Sequence, residues 1–330
     1  MEALNPQRLD PVALEGRRVA VLGFGAQGRA QALNLRDSGV ELVVGLRAGS
    51  SHRDECERAG LAVATPDVAA AGCDVCVLLV PDEVQPRLYE AVLAPALRPG
   101  SALLFAHGYN IHYRRLAPRA DLDVVLVAPL GIGEQVRRQY ELGRGGPALR
   151  AVPQDATGRA AALAGAYAAA NGHARAAVFE TTFAEETETD LFAEQAVLCG
   201  GLGQLITAGF ETLTEAGYPE ELAYFCCLHE VKLIADLVQS RGIAGMRRSI
   251  SSTAAFGDAT RGPRVIGPES RRAMREMLAE IRTGRFAVEL DREMGAGAPT
   301  LAAWREAAQA HPIEAVGERI RALMPWLRQV

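Results

Sequence analysis

The spacing of apolar positions divides the chain into two parts near residue 183. In the first part, short apolar runs alternate with stretches of helical periodicity. The predicted strands are 18–22, 41–45, 74–80, 103–106, 124–128 and 176–179, and the clearest predicted helices are 27–38 and 156–170. Strands that alternate with helices of this length indicate a parallel sheet covered on both faces, which is the doubly wound α/β fold.

The second part lacks strand-like runs and carries long amphipathic patterns instead. The predicted helices cover 187–216, 219–241, 268–283 and 301–328. Because 330 residues exceed what one ordinary hydrophobic core accommodates, we expect two domains. The change of period places residues 1–182 in an α/β domain and residues 183–330 in an all-α domain.

The composition is typical of a globular protein, with 49% hydrophobic and 23% charged residues. A net charge of -5 argues against nucleic acid or an anionic membrane as a partner. The sequence shows no apolar run of the ~20 residues that a transmembrane helix needs, and its first residues lack the features of an export signal. The six cysteines form no paired metal-binding pattern, so we expect reduced thiols and a cytoplasmic location.

A glycine-rich motif follows the first predicted strand and opens the first predicted helix. Its glycines permit a tight turn and let the backbone approach a pyrophosphate, which rests on the helix N-terminus. A glycine-rich turn without a ligand is the alternative, but the strand–turn–helix context favours a dinucleotide site. The predicted cofactor-binding residues of this motif are Gly23, Phe24, Gly25, Ala26, Gln27 and Gly28.

The end of the second predicted strand indicates which dinucleotide binds. An NAD enzyme usually has an acidic residue at this point, where it bonds the ribose hydroxyls. Here the strand leads into Arg47, Ser50 and His52. Because a guanidinium pairs bidentately with phosphate oxygens, these residues favour the 2′-phosphate of NADPH. The alternative is a solvated loop with ordinary surface arginines.

Longer motifs extend over nearly the whole chain. The most specific is ETTFAEETETDLFAEQAVLCG at 180–200. Others are GFGAQGRAQALNLRDSGV at 23–40, VGLR at 44–47, LVPDE at 79–83, FAHGYNIH at 105–112, SIS at 249–251, GPRVI at 262–266, HPIE at 311–314 and MPW at 324–326. Together these segments resemble the short-form class of the ketol-acid reductoisomerase (acetohydroxy acid isomeroreductase) family.

The resemblance implies an N-terminal Rossmann domain and an all-helical, knotted C-terminal domain. Two chains would join through their helical domains, so that each active site uses residues of both, and we expect a homodimer or higher homo-oligomer. The parent reaction shifts an alkyl group of an acetohydroxy acid and reduces the resulting 2-keto acid with NADPH. The parent site holds two Mg²⁺ ions.

Two carboxylates in the longest motif are predicted metal ligands. Asp190 and Glu194 stand four residues apart in a helical pattern, so both project from one face. This spacing suits a hard cation such as Mg²⁺, although such an acidic pair is usually a solvated helix face. The resemblance makes the pair the family's first metal site and makes Glu230 a carboxylate near the second metal.

The resemblance also assigns residues that contact substrate and cofactor. His107 matches a position that lines the nicotinamide and substrate pocket, and it follows a predicted parallel strand, where α/β sites form. Ser251 matches a hydroxyl that contacts the substrate, and Glu230 joins these two as a predicted catalytic residue. The predicted cofactor-binding set is completed by Pro81, Asp82 and Gly133.

Two departures from the family pattern fall at residues that carry chemistry. Leu130 stands where the family has a catalytic lysine, and Cys226 stands where it has a carboxylate that supports the second metal. Leucine neither moves a proton nor carries charge, and a thiol is a poor partner for Mg²⁺. An alternative is that Cys226, His229 and Glu230 recruit a softer metal such as Zn²⁺ or Mn²⁺. The smaller departures are Arg29 for histidine, Ser252 for asparagine and Phe256 for tyrosine.

Three hypotheses follow. The first is an NADPH-dependent reductase of a 2-keto or 2-hydroxy-3-keto acid in specialised biosynthesis, with an impaired or altered isomerase step. Alkyl migration needs a carbonyl polarised between two cations, whereas hydride transfer needs one cation and a positioned nicotinamide. The second is a working ketol-acid reductoisomerase of valine and isoleucine biosynthesis. The third is a non-catalytic paralogue or structural subunit, against which the retained nucleotide motif and carboxylates argue.

Overall fold

The computed structural model describes residues 1, 3–5 and 9–326. The chain divides into two compact units, Met1–Thr189 and Asp190–Val330. The division falls within the helix that follows residue 182, and the bounds that the sequence suggests stay a prediction. Residues 327–328 of the predicted helix 301–328 lie outside the described residues.

Over its described residues, the first unit is built on one sheet of eight strands. They are β1 Val19–Leu22, β2 Leu42–Gly45, β3 Ala62–Ala64, β4 Val75–Leu78, β5 Ala102–Phe105, β6 Asp123–Pro129, β7 Ala148–Gln154 and β8 Val178–Glu180. Their order is β3-β2-β1-β4-β5-β6-β7-β8. All neighbours pair in parallel except β6 and β7. The predicted Rossmann-type α/β fold is therefore confirmed.

Two strands, β3 and β7, lie outside the predicted set. β3 has three residues, too few to show a pattern. β7 runs antiparallel to β6 and carries Arg150 in its centre, which interrupts any apolar run. The structure buries this arginine, whose guanidinium pairs with Glu180 and donates to the carbonyl oxygen of Ala161 at 3.0 Å. A charged side chain can be buried in a strand when it has a partner. The apolar pattern therefore does not predict β7.

Helices cover both faces of the sheet. They are α1 Ala26–Asp37, α2 Arg53–Arg58, α3 Pro66–Ala70, α4 Gln85–Leu88, α5 Ala94–Ala96, α6 Tyr109–His112, α7 Gly133–Glu141 and α8 Ala160–Ala170. Because successive strand residues point to opposite faces, β1 sends Val21 into one core and Leu22 into the other. Leu104 and Phe105 of β5 divide in the same way.

The second unit is all-helical over its described residues, as predicted. The helix α9 (Phe183–Ala193) passes through a π-helical turn, Glu194–Leu198, into α10 (Gly200–Glu215). A second π-helical turn, Phe225–His229, joins α11 (Glu220–Tyr224) to α12 (Glu230–Ser249). The remaining helices are α13 Ser252–Val265, α14 Pro268–Arg282, α15 Arg285–Gly295, α16 Pro299–Ala310 and α17 Pro312–Leu323. The knot that the resemblance implies stays a prediction.

The predicted single helix 301–328 is wrong, because the chain breaks at His311 into α16 and α17. His311 has an extended backbone, and its Nδ1 accepts a hydrogen bond from the backbone N–H of Ile313 at 3.2 Å. Pro312 then begins α17, where its missing N–H costs nothing. The helices α13 and α15 also lie outside the predicted set. Proline at the first helical position is a helix-start signal. The prediction followed the continuous apolar pattern instead and so missed the break before Pro312.

The helical stretch from Phe183 to Glu215 leaves much of its apolar surface exposed. By length and composition alone it could cross a membrane, and 11% of its most apolar 18 residues are buried. Polar residues such as Gln195 and Gln204 interrupt the stretch, so it is no unbroken apolar run. One such helix is a weak indication of a membrane, because a helix covered by another subunit has the same composition.

Candidate active site

The glycine motif brings backbones together where β1 turns into α1. Gly23 has a φ of 100°, and a Cβ on it would lie 2.6 Å from the carbonyl oxygen of Leu79. A Cβ on Gly28 would lie 2.4 Å from the carbonyl oxygen of Gly23. Phe24 is buried in the core, whereas a Cβ on Gly25 would meet no described atom within 4 Å. The turn therefore leaves the N-terminus of α1 open, as a pyrophosphate site requires.

The edge predicted to hold the 2′-phosphate carries a carboxylate as well as cations. Arg47 follows β2 and is exposed, and Ser50 is half-buried. The Nδ1 of His52 lies 3.7 Å from one carboxylate oxygen of Glu55. The Nε of Arg29 donates to the other oxygen at 2.6 Å. Glu55, to which the sequence pattern did not point, therefore neutralises part of the positive charge at this edge.

Buried carboxamides tie the loop after β4 to the loop after β5. Asn110 donates from Nδ2 to the backbone oxygen of Asp82 at 2.9 Å and to Oε1 of Gln85 at 3.0 Å. Gln85 donates from Nε2 to the backbone oxygen of Val80 at 3.0 Å. Because both carboxamides are buried and bonded, they hold the backbone on either side of Pro81 in one place.

The carboxylate of Glu186 anchors His107. Nδ1 of His107 lies 2.9 Å from Oε1 of Glu186, and the backbone N–H of Gly108 donates to Oε2 at 2.7 Å. The hydroxyl of Thr187 donates to the same oxygen at 3.3 Å. Glu186 is buried and His107 is half-buried. With Nδ1 donating to this carboxylate, the ring orientation is fixed and Nε2 is the nitrogen that can exchange a proton.

Glu186 begins a row of carboxylates along α9. Asp190 lies one helical turn further on, and Glu194 begins the π-helical turn after that. Carboxylate oxygens of Glu186 and Asp190 lie within 4.8 Å of each other. Oxygen ligands at this spacing suit a hard cation, and π-helical turns are frequent at functional sites. Glu186 was not among the predicted ligands, although its position four residues before Asp190 gives the same helical-face signal.

The loop after β6 packs on the nucleotide helix. A Cβ on Gly133 would lie 2.2 Å from the carbonyl oxygen of Ala26. Gln27 donates from Nε2 to the carbonyl oxygen of Gly131 at 2.8 Å. Leu130 is 51% exposed at the start of this loop. An apolar side chain therefore stands at the carboxyl end of a sheet strand, where α/β enzymes bind their ligands.

Three further residues that the sequence singled out in the helical unit, Cys226, Glu230 and Ser251, lie on the π-helical turn Phe225–His229 and at the starts of α12 and α13. Cys226 is exposed. Cys227 lies against α10, where a Cβ on Gly209 would be 3.2 Å from the sulfur of Cys227. Glu230 is exposed at the first position of α12. The hydroxyl oxygen of Ser251 caps α13 by accepting a backbone N–H at 3.2 Å. Its hydroxyl hydrogen remains available to a ligand.

Two family models match the chain in succession. The model for the NADPH-binding domain of acetohydroxy acid isomeroreductase matches residues 13–177, and the model for the C-terminal domain of ketol-acid reductoisomerase matches residues 183–326. The chain belongs to the ketol-acid reductoisomerase family. A solved structure of an NADH-preferring ketol-acid reductoisomerase from an uncultured archean is 44% identical, with a TM-score of 0.95 over 98% of this chain and 99% of that chain.

More distant structures share the fold alone. A semialdehyde dehydrogenase NAD-binding protein from Cupriavidus necator is 20% identical, with a TM-score of 0.62 over 81% of this chain and 99% of that chain. A 1-pyrroline-5-carboxylate reductase from Streptococcus pyogenes is 16% identical, with a TM-score of 0.52 over 81% and 98%. At these identities they carry no argument about the substrate.

Membership of the ketol-acid reductoisomerase family makes this chain an oxidoreductase that uses a nicotinamide dinucleotide. The predicted family and fold are thereby confirmed. The roles of the individual predicted site residues in binding and catalysis stay predictions, for which the structure gives the local surroundings.

Proposed function

We propose that this member of the ketol-acid reductoisomerase family is an NADPH-dependent, metal-assisted reductase of a 2-keto or 2-hydroxy-3-keto acid, in specialised biosynthesis, with an impaired alkyl-migration step. The observation that carries the proposal is the exposed Leu130 at the end of β6, where the family pattern has lysine. In the same segment the backbone of Gly133 lies so close to Ala26 that a Cβ on it would be 2.2 Å from the carbonyl oxygen, which supports a loop whose position does not depend on the side chain of Leu130.

Hydride transfer depends on holding the nicotinamide and the substrate carbonyl in line. The glycine motif supports this by fixing the pyrophosphate end of the cofactor. Glu186 supports it by fixing the ring of His107, whose Nε2 can exchange a proton with the substrate oxygen that gains charge as the hydride arrives. The glycine motif and the His107–Glu186 pair both lie in the first unit, and neither involves Leu130.

Alkyl migration asks for more charge stabilisation than hydride transfer. The tertiary hydroxyl loses its proton while the neighbouring carbonyl is polarised. An apolar side chain at Leu130 supplies no cation for the oxygen that becomes negative and makes that charge costlier. Cys226 replaces a hard carboxylate ligand by a thiol. Both changes oppose migration and leave the dinucleotide turn as it is.

Magnesium fits the carboxylates of α9 and of the π-helical turn after it better than it fits the side chains of the π-helical turn before α12. Glu186, Asp190 and Glu194 offer oxygen ligands on successive turns, and Mg²⁺ bound there would polarise the substrate carbonyl. Cys226 is exposed one turn before Glu230, and a thiol beside a carboxylate suits a softer ion. We therefore expect one magnesium site that involves Glu186.

The substitution Glu186→Gln should weaken binding of Mn²⁺, a spectroscopic substitute for Mg²⁺, by about 10- to 100-fold, because the amide lacks the negative charge. The matched control is Glu185→Gln, since the Glu185 carboxylate instead accepts the backbone N–H of Thr182 at 3.1 Å. Electron paramagnetic resonance of Mn²⁺ titrated into each purified protein measures the affinity. An equal loss of Mn²⁺ affinity in both variants would show that Glu186 is not a metal ligand.

NADPH is the proposed cofactor because of the residues after β2. Arg47 is exposed beside Ser50, and a guanidinium with a hydroxyl suits a phosphate. Glu55 is already paired with Arg29 and His52, which lessens its repulsion of an anion. The similar archean structure is described as NADH-preferring, so the preference of this chain rests on its own loop.

The substitution Arg47→Ala should raise the Kd of NADPH by about 10- to 100-fold, the loss expected for a charge-assisted hydrogen bond, and change the Kd of NADH by less than about twofold. Arg58→Ala is the control, because Arg58 lies on α2 and donates to the backbone oxygen of Asp54 at 3.2 Å. Fluorescence titration of the reduced cofactors measures both constants. Tighter binding of NADH than of NADPH by the unchanged protein would contradict the proposal.

A second copy of this chain is the proposed partner of the helical unit. Large apolar side chains are exposed along it, and exposed apolar area of this kind marks interfaces. Among them are Val197, Leu198, Leu205, Leu222, Leu233 and Ile243. Light scattering at micromolar concentration should give the mass of two chains or a multiple of it, and a monomer would contradict the proposal.

The six free cysteines support a reducing, cytoplasmic location.

A working ketol-acid reductoisomerase of valine and isoleucine biosynthesis is the second candidate. It is supported by the 44% identity over 98% of the chain to a structure described by that name. Another group would then have to replace the missing lysine. The only lysine of the chain, Lys232, lies on α12 and pairs with Asp236 at 2.6 Å.

NADPH oxidation by the purified protein with Mg²⁺ distinguishes the candidates. We expect turnover of 3-hydroxy-3-methyl-2-ketobutyrate, and turnover of 2-acetolactate at least about 100-fold slower, which is the usual loss when a proton-transferring group is missing. Comparable rates on both substrates would establish the second candidate. No oxidation of bound NADPH with either substrate, or with simple 2-keto acids, would favour a non-catalytic paralogue.

A further inference from the structure

A chain of hydrogen bonds runs from the core of the first unit to the loop after β6. The hydroxyl of Tyr167 donates to Oε1 of Gln31 at 2.7 Å. Gln31 donates from Nε2 to Oε1 of Gln27 at 3.1 Å, and Gln27 donates from Nε2 to the carbonyl oxygen of Gly131 at 2.8 Å. Tyr167 and Gln31 are both 0% exposed. The chain thus leads from the buried Tyr167–Gln31 bond to the exposed Gln27–Gly131 bond, and a partner on either side holds each carboxamide in one orientation.

The direction of every bond in this chain is set by its two ends. A carbonyl oxygen only accepts, so Gln27 must turn its NH₂ group towards Gly131. The oxygen of Gln27 then needs the NH₂ group of Gln31, and the oxygen of Gln31 needs a proton from Tyr167. Burial raises the pKa of Tyr167, so its hydroxyl keeps that proton at any working pH.

We propose that Tyr167, Gln31 and Gln27 are positioning residues that hold the Leu130–Gly133 loop against the dinucleotide-binding turn. The inference rests on the proposed reductase function, in which this loop borders the reacting groups. Gln27 belongs to the glycine motif itself, so one side chain links the turn that receives the cofactor to the loop that carries Leu130. The Tyr167 hydroxyl acts only through the two carboxamides.

Loss of the Tyr167 hydroxyl leaves the oxygen of Gln31 buried without its donor. The carboxamide of Gln31 then loses the bond that fixes one of its two ends, which loosens its bond to the oxygen of Gln27 and, through Gln27, the bond to Gly131. The loop keeps the bond from the Leu130 N–H to the backbone oxygen of Pro147 at 2.9 Å. The loop is therefore expected to loosen rather than unfold.

Tyr167→Phe tests the proposal, because it removes one oxygen and keeps the ring. Amide hydrogen exchange over 130–136 should become faster, and kcat for 3-hydroxy-3-methyl-2-ketobutyrate should fall about 10-fold, as for a small misplacement of reacting groups. The KM and the Kd of NADPH should change less than about twofold, because the glycine backbone stays in place. Unchanged exchange over 130–136 would overturn the proposal.

Tyr89→Phe is the matched control. Tyr89 is also buried in the first unit, and its hydroxyl accepts the backbone N–H of Arg119 at 2.8 Å in the other core of the sheet. Its substitution removes one buried hydrogen bond as well, so it reports the effect of general destabilisation. Faster exchange over 130–136 in this variant to the same degree would show that the Tyr167 effect is structural, and would overturn the proposal.

A double-substitution cycle tests whether the effect passes through Gln27. If it does, Tyr167→Phe combined with Gln27→Leu has the kcat and loop exchange of Gln27→Leu alone, whereas independent effects add. Additive losses would overturn the proposal. Gln31→Met, which keeps the side-chain length, replaces Tyr167→Phe in the cycle if that variant folds poorly. Because hydrogen exchange needs no turnover, absence of reductase activity would overturn the proposed function and leave this test in force.

Discussion

Backbone contacts with no room for a side chain hold the cofactor edge of the first unit together. A Cβ on Gly23 would lie 2.6 Å from the carbonyl oxygen of Leu79, and a Cβ on Gly133 would lie 2.2 Å from that of Ala26. The loops after β1, β4 and β6 thus meet through close main-chain contacts, to which the side chain of Gln27 adds a bond to Gly131. Their positions depend on closely approaching glycines more than on the fit of larger side chains, which agrees with the proposal that Leu130 affects the chemistry of this edge and not its backbone.

Buried polar groups add a second layer of constraint around this edge. Glu186 accepts hydrogen bonds from His107, the Gly108 backbone and Thr187, so moving it would cost several bonds at once. Asn110 ties the neighbouring loops together in the same manner. The geometry around Glu186 therefore rests on interactions that Leu130 does not enter, as the proposed separation of hydride transfer from alkyl migration requires.

Much of the fold follows from the sequence because its signals are local. The alternation of strands and helices, the glycine motif and the change of period near residue 183 all lie within short windows. The features that the sequence did not predict depend on contacts between residues far apart in the chain. Arg150 hides β7 until its partner Glu180 is known, and the link of Tyr167 to Gln31 joins residues far apart in the chain. Glu186 is the exception, since its helical spacing to Asp190 is readable from the sequence.

The proposed separation of migration from reduction depends most on Leu130, which stands where the family pattern has a lysine. Carbon-13 nuclear magnetic resonance of labelled 2-acetolactate, incubated with the protein, Mg²⁺ and NADPH, observes the migrated carbon directly, with Leu130→Lys in parallel. We expect no migrated carbon from the unchanged protein during the time in which it fully reduces 3-hydroxy-3-methyl-2-ketobutyrate, and a measurable gain in Leu130→Lys. Migration by the unchanged protein as fast as its reduction would contradict this separation.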